Sequence, residues 1–357
     1  MKVLHLPQNI ASQISVSVRA LRDIGVEARG LVWGNATIQD PAGVRVYNSR
    51  RRYLFHYLVQ RTRFVLALRA AIRWADVIHY HWLRPCLRNA LDLRWIARSG
   101  KPRIVEVWGS DIRKREVASA DNPYLARFFA SHPDFGCDSQ GSRHWQGQFA
   151  RHGFALLVSG RELLRYVEGG LFDNVYETAA RVLLAEFEPK YPNGDCRQPL
   201  VVHSPSRPEL KGTDAVLAAI EQLRAKHDFE FGLLHQVAHG EAMATVQGCD
   251  IFLDQFVLGG YGLASIEAMA FGKPVICYIK DTTDYPDDLP VVNATQESLP
   301  AVLDSLLADA PRRQQLGRAG RTYVERHHDA RQIARQLVGI YEELIEKNRN
   351  RESRVCR

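Results

Sequence analysis

The sequence predicts an α/β fold made of two successive parallel-sheet domains. Three observations carry that expectation. Short apolar runs alternate with helix-period segments along the 357 residues, the turn-rich stretch EPKYPNGDCRQP breaks the series once, and a chain this long usually divides its core between domains. With 46% apolar and 24% charged residues, the composition is that of a globular protein.

Taken in order, Val3 to Leu6 reads as a first strand. The polar loop PQNIASQ comes next, then a helix with apolar Val16, Val18, Leu21 and Ile24 that Gly25 closes. Ala28 to Trp33, Val77 to His81 and Arg103 to Val107 read as further strands, and a helix over Leu54, Leu58, Val65, Leu68 and Ile72 would carry an apolar stripe. Beyond the turn-rich stretch, Leu200 to His203 opens the second series. Thr213 is placed to cap a helix carrying Val216, Leu217, Ile220 and Leu223, and Glu230 to Leu234, Asp250 to Phe256 and Val275 to Ile279 read as strands. A last helix with Ile333, Leu337, Ile340 and Leu344 precedes a charged tail. The expected domains are 1–187 and 199–326, with 327–357 as terminal helix and tail.

No apolar run approaches the roughly 20 residues of a membrane-spanning helix. The opening MKVLHLPQN lacks the apolar core of a secretory leader, so a cytoplasmic protein is expected. The six cysteines, Cys86, Cys137, Cys196, Cys249, Cys277 and Cys356, show no close pair at metal-ligand spacing and read as free thiols, several of them buried. Net charge is +7 and unevenly spread: no acidic residue falls between Asp40 and Asp76, where Arg45, Arg50, Arg51, Arg52, Arg61, Arg63, Arg69 and Arg73 all lie. Segment 45–73 is either a solvated face or a surface for anionic lipid or a phosphate-bearing acceptor. Arg61 interrupts its apolar stripe, which argues against a clean amphipathic membrane helix. A net acidic C-terminal half and the lack of any nucleic-acid motif argue against nucleic-acid binding.

The chemistry concentrates in DIFLDQFVLGGYGLASIEAMAFGKPVICY, which reads as strand, glycine-rich turn, short helix, glycine stop and strand. Gly259, Gly260 and Gly262 let backbone amides approach a ligand, and a helix from Leu263 aims its positive end at the same place, which suits a diphosphate. Glu267, one turn into that helix, is suited to accept hydrogen bonds from a ribose diol. In HSPSRPELKGTD, Arg207 and Lys211 occupy the loop at the carboxyl end of a strand, where open parallel sheets bind ligands, and two cations there can neutralise a diphosphate leaving group. The chain has no Asp-x-Asp pair to bridge a metal to a diphosphate, so neither a metal nor another cofactor is expected.

These two segments resemble the donor site of the retaining glycosyltransferases of the GT-B fold, in the large family four that includes sucrose synthase-like and mannosyltransferase-like enzymes. Gly260, Tyr261, Gly262 and Leu263 match the family's Gly-Phe-Gly-Leu, and Glu267-Ala268-Met269-Ala270 with Gly272, Pro274 and Val275 match the rest of its pattern. The resemblance implies two Rossmann-like domains facing across a cleft, with the terminal helix packing back on the first. It further implies that Glu267 holds the ribose, that the loop amides meet sugar and phosphate, and that Arg207 and Lys211 clamp the diphosphate.

Two departures stand out. The family's first glutamate, which touches donor-sugar hydroxyls, falls by spacing on Gly259; Asp254 or Gln255 can substitute as acceptor. Where many relatives carry histidine before Gly-x-Asp, this chain has Trp108-Gly109-Ser110-Asp111, so a polar role there passes to Asp111 or to His81. Asp111 can equally serve only to start the next helix. His79 and His81, two apart on a strand, face one side, with no third metal ligand evident.

The expectation is a hexosyltransferase-like enzyme moving a sugar from a nucleotide-diphosphate donor to a glycan or lipid-linked hydroxyl, without metal and with retention, in bacterial surface polysaccharide synthesis. The alternatives are a non-catalytic nucleotide-sugar-binding subunit and a nucleotide-sugar epimerase. A dinucleotide-dependent oxidoreductase is disfavoured because no Gly-x-Gly-x-x-Gly comes after the first strand.

Overall fold

The computed structural model describes residues 1–34, 42–48, 54–136 and 138–355. Arg50, Arg51 and Arg52 of the basic segment, and Cys137 and Cys356, lie outside the described residues.

The chain forms two compact units. The first comprises Met1–Arg115, Gly136–Arg181 and Ala330–Arg357, and the second Glu116–Phe135 and Val182–Asp329.

In chain order the elements up to residue 178 are β1 (Lys2–Pro7), α1 (Gln13–Asp23), β2 (Glu27–Trp33), β3 (Val44–Tyr47), α2 (Leu54–Trp74), β4 (Val77–His81), α3 (Leu91–Arg98), β5 (Arg103–Val107), α4 (Arg115–Ser119), α5 (Pro123–Ser131), α6 (Ser139–Arg151), β6 (Ala155–Ser159) and β7 (Val175–Thr178). Then come β8 (Leu200–His203), α7 (Pro208–Lys211), α8 (Thr213–Arg224), β9 (Glu230–Leu233), α9 (His239–Gly248), β10 (Ile251–Leu253), α10 (Leu263–Ala270), β11 (Val275–Cys277), β12 (Val292–Asn293), α11 (Leu299–Ala308), α12 (Ala310–His327) and α13 (Ala330–Val355).

The first unit holds a seven-stranded sheet of order β3-β2-β1-β4-β5-β6-β7, parallel at every pairing. Its central strands are buried on both faces, which is why VLHL and VIHYH read as continuous runs rather than alternating ones. Asn9 accepts from the Ile14 and Ser15 amides and so orders the start of α1, whose Ile14, Val18 and Leu21 face the core. The terminal helix α13 belongs to this unit and packs on α1. Its predicted stripe of Ile333, Leu337, Ile340 and Leu344 is buried together with Tyr341.

Helix α2 corrects one expectation. Its buried face is Phe64, Leu68 and Ile72, while Leu54 is 69% and Leu58 53% exposed. Arg61 is drawn inward to the Cys86 carbonyl at 2.6 Å and over the Trp33 ring, which explains a cation inside an apolar stripe.

The second unit holds a five-stranded parallel sheet of order β12-β11-β10-β8-β9. Helix α8 buries Val216, Ala219, Ile220 and Leu223, but the predicted Leu217 is 41% exposed. Thr213 does not cap this helix. Gly212 takes the N-cap position at φ 74°, and the Thr213 hydroxyl lies 2.9 Å from His203 Nε2. With the Leu253 carbonyl 2.9 Å from Nδ1, His203 donates from Nδ1 and accepts from Thr213, joining β8, β10 and α8. Burial lowers its pKa to about 4. Cys249 and Cys277 are buried free thiols, and Cys86 and Cys196 are free and partly exposed. Among the described residues no helix is long and apolar enough to cross a membrane.

Candidate functional site

The glycine-rich turn runs from the end of β10 into α10, and its shape is set by Asp254. This carboxylate is buried, with its side chain 1% exposed. One oxygen lies 2.5 Å from Lys211 Nζ; the other accepts from the Gly262 amide at 2.9 Å and the Ser265 hydroxyl at 2.5 Å. Burial works to raise its pKa, but Lys211 and the two hydrogen bonds prevail and hold the carboxyl below its ordinary value. Asp254, expected as an acceptor for sugar hydroxyls, thus has both oxygens engaged within its own unit. Gln255 Nε2 donates to the Gly260 carbonyl and fixes the next stretch of the turn.

Lys211, at the end of α7, is brought from the β8 loop to the β10 turn by this pair. A side-chain carbon built on Gly262 would sit 3.5 Å from both Lys211 Nζ and the Asp254 carboxylate, in ordinary contact with each, which places this turn residue directly beside the ion pair. The start of α10 carries the helix's positive dipole end; there the Ser265 and Ile266 amides donate to the Gly262 carbonyl at 3.1 and 3.3 Å, and the Gly262 amide donates to Asp254. Glu267 lies close enough to feel the same charges: burial first and the Asp254 charge second raise its pKa to about 7, while Lys211 lowers it. The helix, the turn and the lysine therefore converge.

Arg207 is placed differently. It is exposed, and its guanidinium lies 5.2 Å from the centre of the Phe135 ring. Its charge is not committed to Asp254. Tyr261 presents its backbone in the turn while its hydroxyl is tied 3.0 Å from both Tyr323 Oη and His328 Nε2.

Gly259 explains the first departure from the family pattern. Its φ is 82°, in the left-handed region, and an added Cβ would lie 2.8 Å from Lys280 Cβ and 3.2 Å from Asn122 Nδ2. The backbone here disfavours the glutamate that the resembled pattern has at this place. Asn122, from the 116–135 segment, donates to the Val257 carbonyl at 2.8 Å and so holds the turn from outside the β8–α12 run.

In the first unit Asp111 begins no helix, contrary to that reading of the sequence. It sits in a turn, buried, with Oδ1 accepting from the Trp108 and Gly109 amides at 2.9 and 3.0 Å and Oδ2 from Leu83 at 3.1 Å. Burial raises its pKa and these amides oppose the rise. It braces the loops after β4 and β5. His81 stacks on Trp108, with centroids 6.0 Å apart. The third partner for His79 and His81 is His5, which strand register places opposite His79.

Residues 218–339 match a sequence profile described as glycosyl transferase-like. No curated protein sequence matches the chain significantly. Among solved structures, sucrose-phosphate synthase from Thermosynechococcus elongatus is similar over 97% of this chain and 100% of its own, with TM-score 0.66 and 14% identity. Anabaena HepE, solved with UDP, is similar over 96% of this chain and 100% of its own, at TM-score 0.60 and 13% identity. WaaG, a glycosyltransferase involved in lipopolysaccharide biosynthesis, is similar over 96% of this chain and 99% of its own, at 0.56 and 13%. These likenesses speak to the fold, which is GT-B: two parallel sheets of seven and five strands with flanking helices.

Proposed function

We propose that the chain moves a sugar from a nucleoside-diphosphate donor to a hydroxyl of a glycan or lipid-linked acceptor, with retention and without a metal ion at the donor site. The observation that carries this reading is the Lys211–Asp254 pair beside Gly262 of the turn, from which α10 runs to Glu267 about one turn further on. In it, the turn amides meet the diphosphate and Glu267 takes the ribose hydroxyls. Charge balance divides the cations. Lys211 is already offset by Asp254, so much of the diphosphate's negative charge falls to Arg207, which leaves the Phe135 ring to meet it. Asp254 positions Lys211 and the turn, Gln255 braces the Gly260 carbonyl, and recognition of the sugar shifts away from the position of Gly259. Asp111 holds the loops of the acceptor-binding unit.

The similar Anabaena protein holds UDP, and the similar lipopolysaccharide enzyme supports a role in surface polysaccharide synthesis. Phe55, 82% exposed, with Leu54 and Leu58 on the acid-free helix α2, supports peripheral contact with an anionic membrane at its cytoplasmic face. The test is calorimetric titration with UDP, GDP and ADP, then with the matching sugar conjugates, together with release of the diphosphate. One base should bind, and its sugar conjugate should release diphosphate faster when acceptor is added. Absence of binding by every nucleotide overturns the reading; binding without turnover would indicate a non-catalytic subunit, and an isomerised donor an epimerase.

A further inference from the structure

We propose that His5, His79, His81 and Glu106 form a closed binding site for one divalent transition-metal ion of the zinc class, in the core of the first unit. The site arises from strand register. His5 on β1 pairs with His79 on β4, and His81 on β4 pairs with Glu106 on β5, so alternation puts all four side chains on one face of three adjacent strands. All four are 0% exposed, and one ring nitrogen from each histidine lies within 4.8 Å of the others.

The distances favour an ion over a plain hydrogen-bond network. Glu106 Oε2 lies 3.1 Å from His79 Nε2 and 3.3 Å from His81 Nδ1. Ligand atoms about 2.0–2.1 Å from a tetrahedral ion stand about 3.3 Å apart. Yet none of these three atoms has a hydrogen-bond partner, and neither has His5 Nε2, although all are buried. His5 Nδ1 and His81 Nε2 lie 2.9 Å apart in a hydrogen bond of their own, which leaves His5 Nε2 and His81 Nδ1 as the nitrogens open to an ion. Buried polar atoms left unpaired in this number call for a missing partner. Three imidazoles and one carboxylate are a nitrogen-rich set that suits zinc, cobalt or nickel rather than calcium or magnesium.

Outer partners are also in place. Tyr341 Oη, from α13, lies 2.6 Å from His79 Nδ1, and Glu106 Oε1 accepts from Arg181 and from Ser159 Oγ at 2.8 Å. Such contacts orient metal ligands. Arg181 also opposes the ion, since its charge already offsets Glu106. Removing that opposition should tighten binding, which no hydrogen-bond network predicts. The His79 and His81 rings, now stacked 12° from parallel, must tilt to converge.

The experiment uses the full chain, stripped with chelator and titrated with Zn2+ or Co2+ alone. The expected results are one equivalent retained through gel filtration, a raised melting temperature, and Co2+ bands of tetrahedral type. Affinity should fall at least about tenfold in His5→Gln and Glu106→Gln, and rise in Arg181→Met. No retained equivalent and no thermal shift in the wild type overturns the proposal, as does unchanged affinity in the first two variants. X-ray absorption on the wild type covers the case in which the variants do not fold: imidazole scattering supports the site, and sulfur scattering, which places the ion on a cysteine, refutes it.

Discussion

Replacing Lys211 with methionine tests the frame of the donor site, because it leaves the Asp254 carboxylate buried with only the Gly262 amide and Ser265 hydroxyl. Breaking a buried ion pair from one side costs about 3–5 kcal/mol. Lys211 is 13% exposed, so water reaches the gap, and a cost near the lower end, about 3 kcal/mol, is expected. Asp254→Asn removes the charge from the other side, and the double variant should cost less than the sum of the two by about 1–3 kcal/mol. Urea unfolding at pH 8 measures all three. The pH dependence has a definite sign. Asp254 is held below its ordinary value, so its contribution is full above the unfolded carboxyl pKa of about 3.9 and is lost as the pH falls through the folded value. The Lys211→Met deficit should therefore shrink in acid. Strictly additive costs, or a deficit that grows in acid, would refute the claim that Lys211 and Asp254 act as a charged pair.

Arg207→Ala should weaken nucleoside-diphosphate binding at least about tenfold, or about 1.4 kcal/mol, while leaving the urea midpoint unchanged, because the side chain is exposed; calorimetry and unfolding read the two effects separately. Glu267, with a pKa of about 7, should be ionised when ribose binds, so nucleotide binding at pH 7 should release protons, seen as a dependence of apparent enthalpy on buffer. Its raised pKa also means that its stabilising effect is present below the unfolded value and is lost as the pH rises through about 7; Glu267→Gln should flatten that slope in urea unfolding. Gly259→Glu, which restores the family's glutamate, should destabilise by about 1–3 kcal/mol, since φ is 82° and Lys280 Cβ blocks the new side chain; a stable variant with faster turnover would contradict the geometry.

Strands were legible in the sequence where burial on both faces makes continuous apolar runs, as at Val77–His81, Arg103–Val107 and Leu200–His203. Gly260, Gly262 and Glu267 could be placed on one turn and helix, because local spacing determines local geometry. Partners distant in sequence were harder to foresee. Nothing near Asp254 signals that its carboxylate would close on Lys211, 43 residues away, rather than face a sugar. His5 could not be joined to His79 without the β1–β4 register, and the 116–135 excursion that brings Asn122 to the turn leaves no composition signal. The α2 stripe misled because Leu54 and Leu58 satisfy helical spacing but face solvent.

The central claim is that the turn after β10 grips a nucleoside diphosphate. The most direct measurement is a crystal structure with the nucleoside diphosphate that binds. The account predicts phosphate oxygens within hydrogen-bond distance of turn amides other than that of Gly262, which Asp254 takes, and of Lys211 or Arg207, with both ribose hydroxyls on Glu267. Density for the nucleotide at another place, or ribose hydroxyls held by groups other than Glu267, would contradict it.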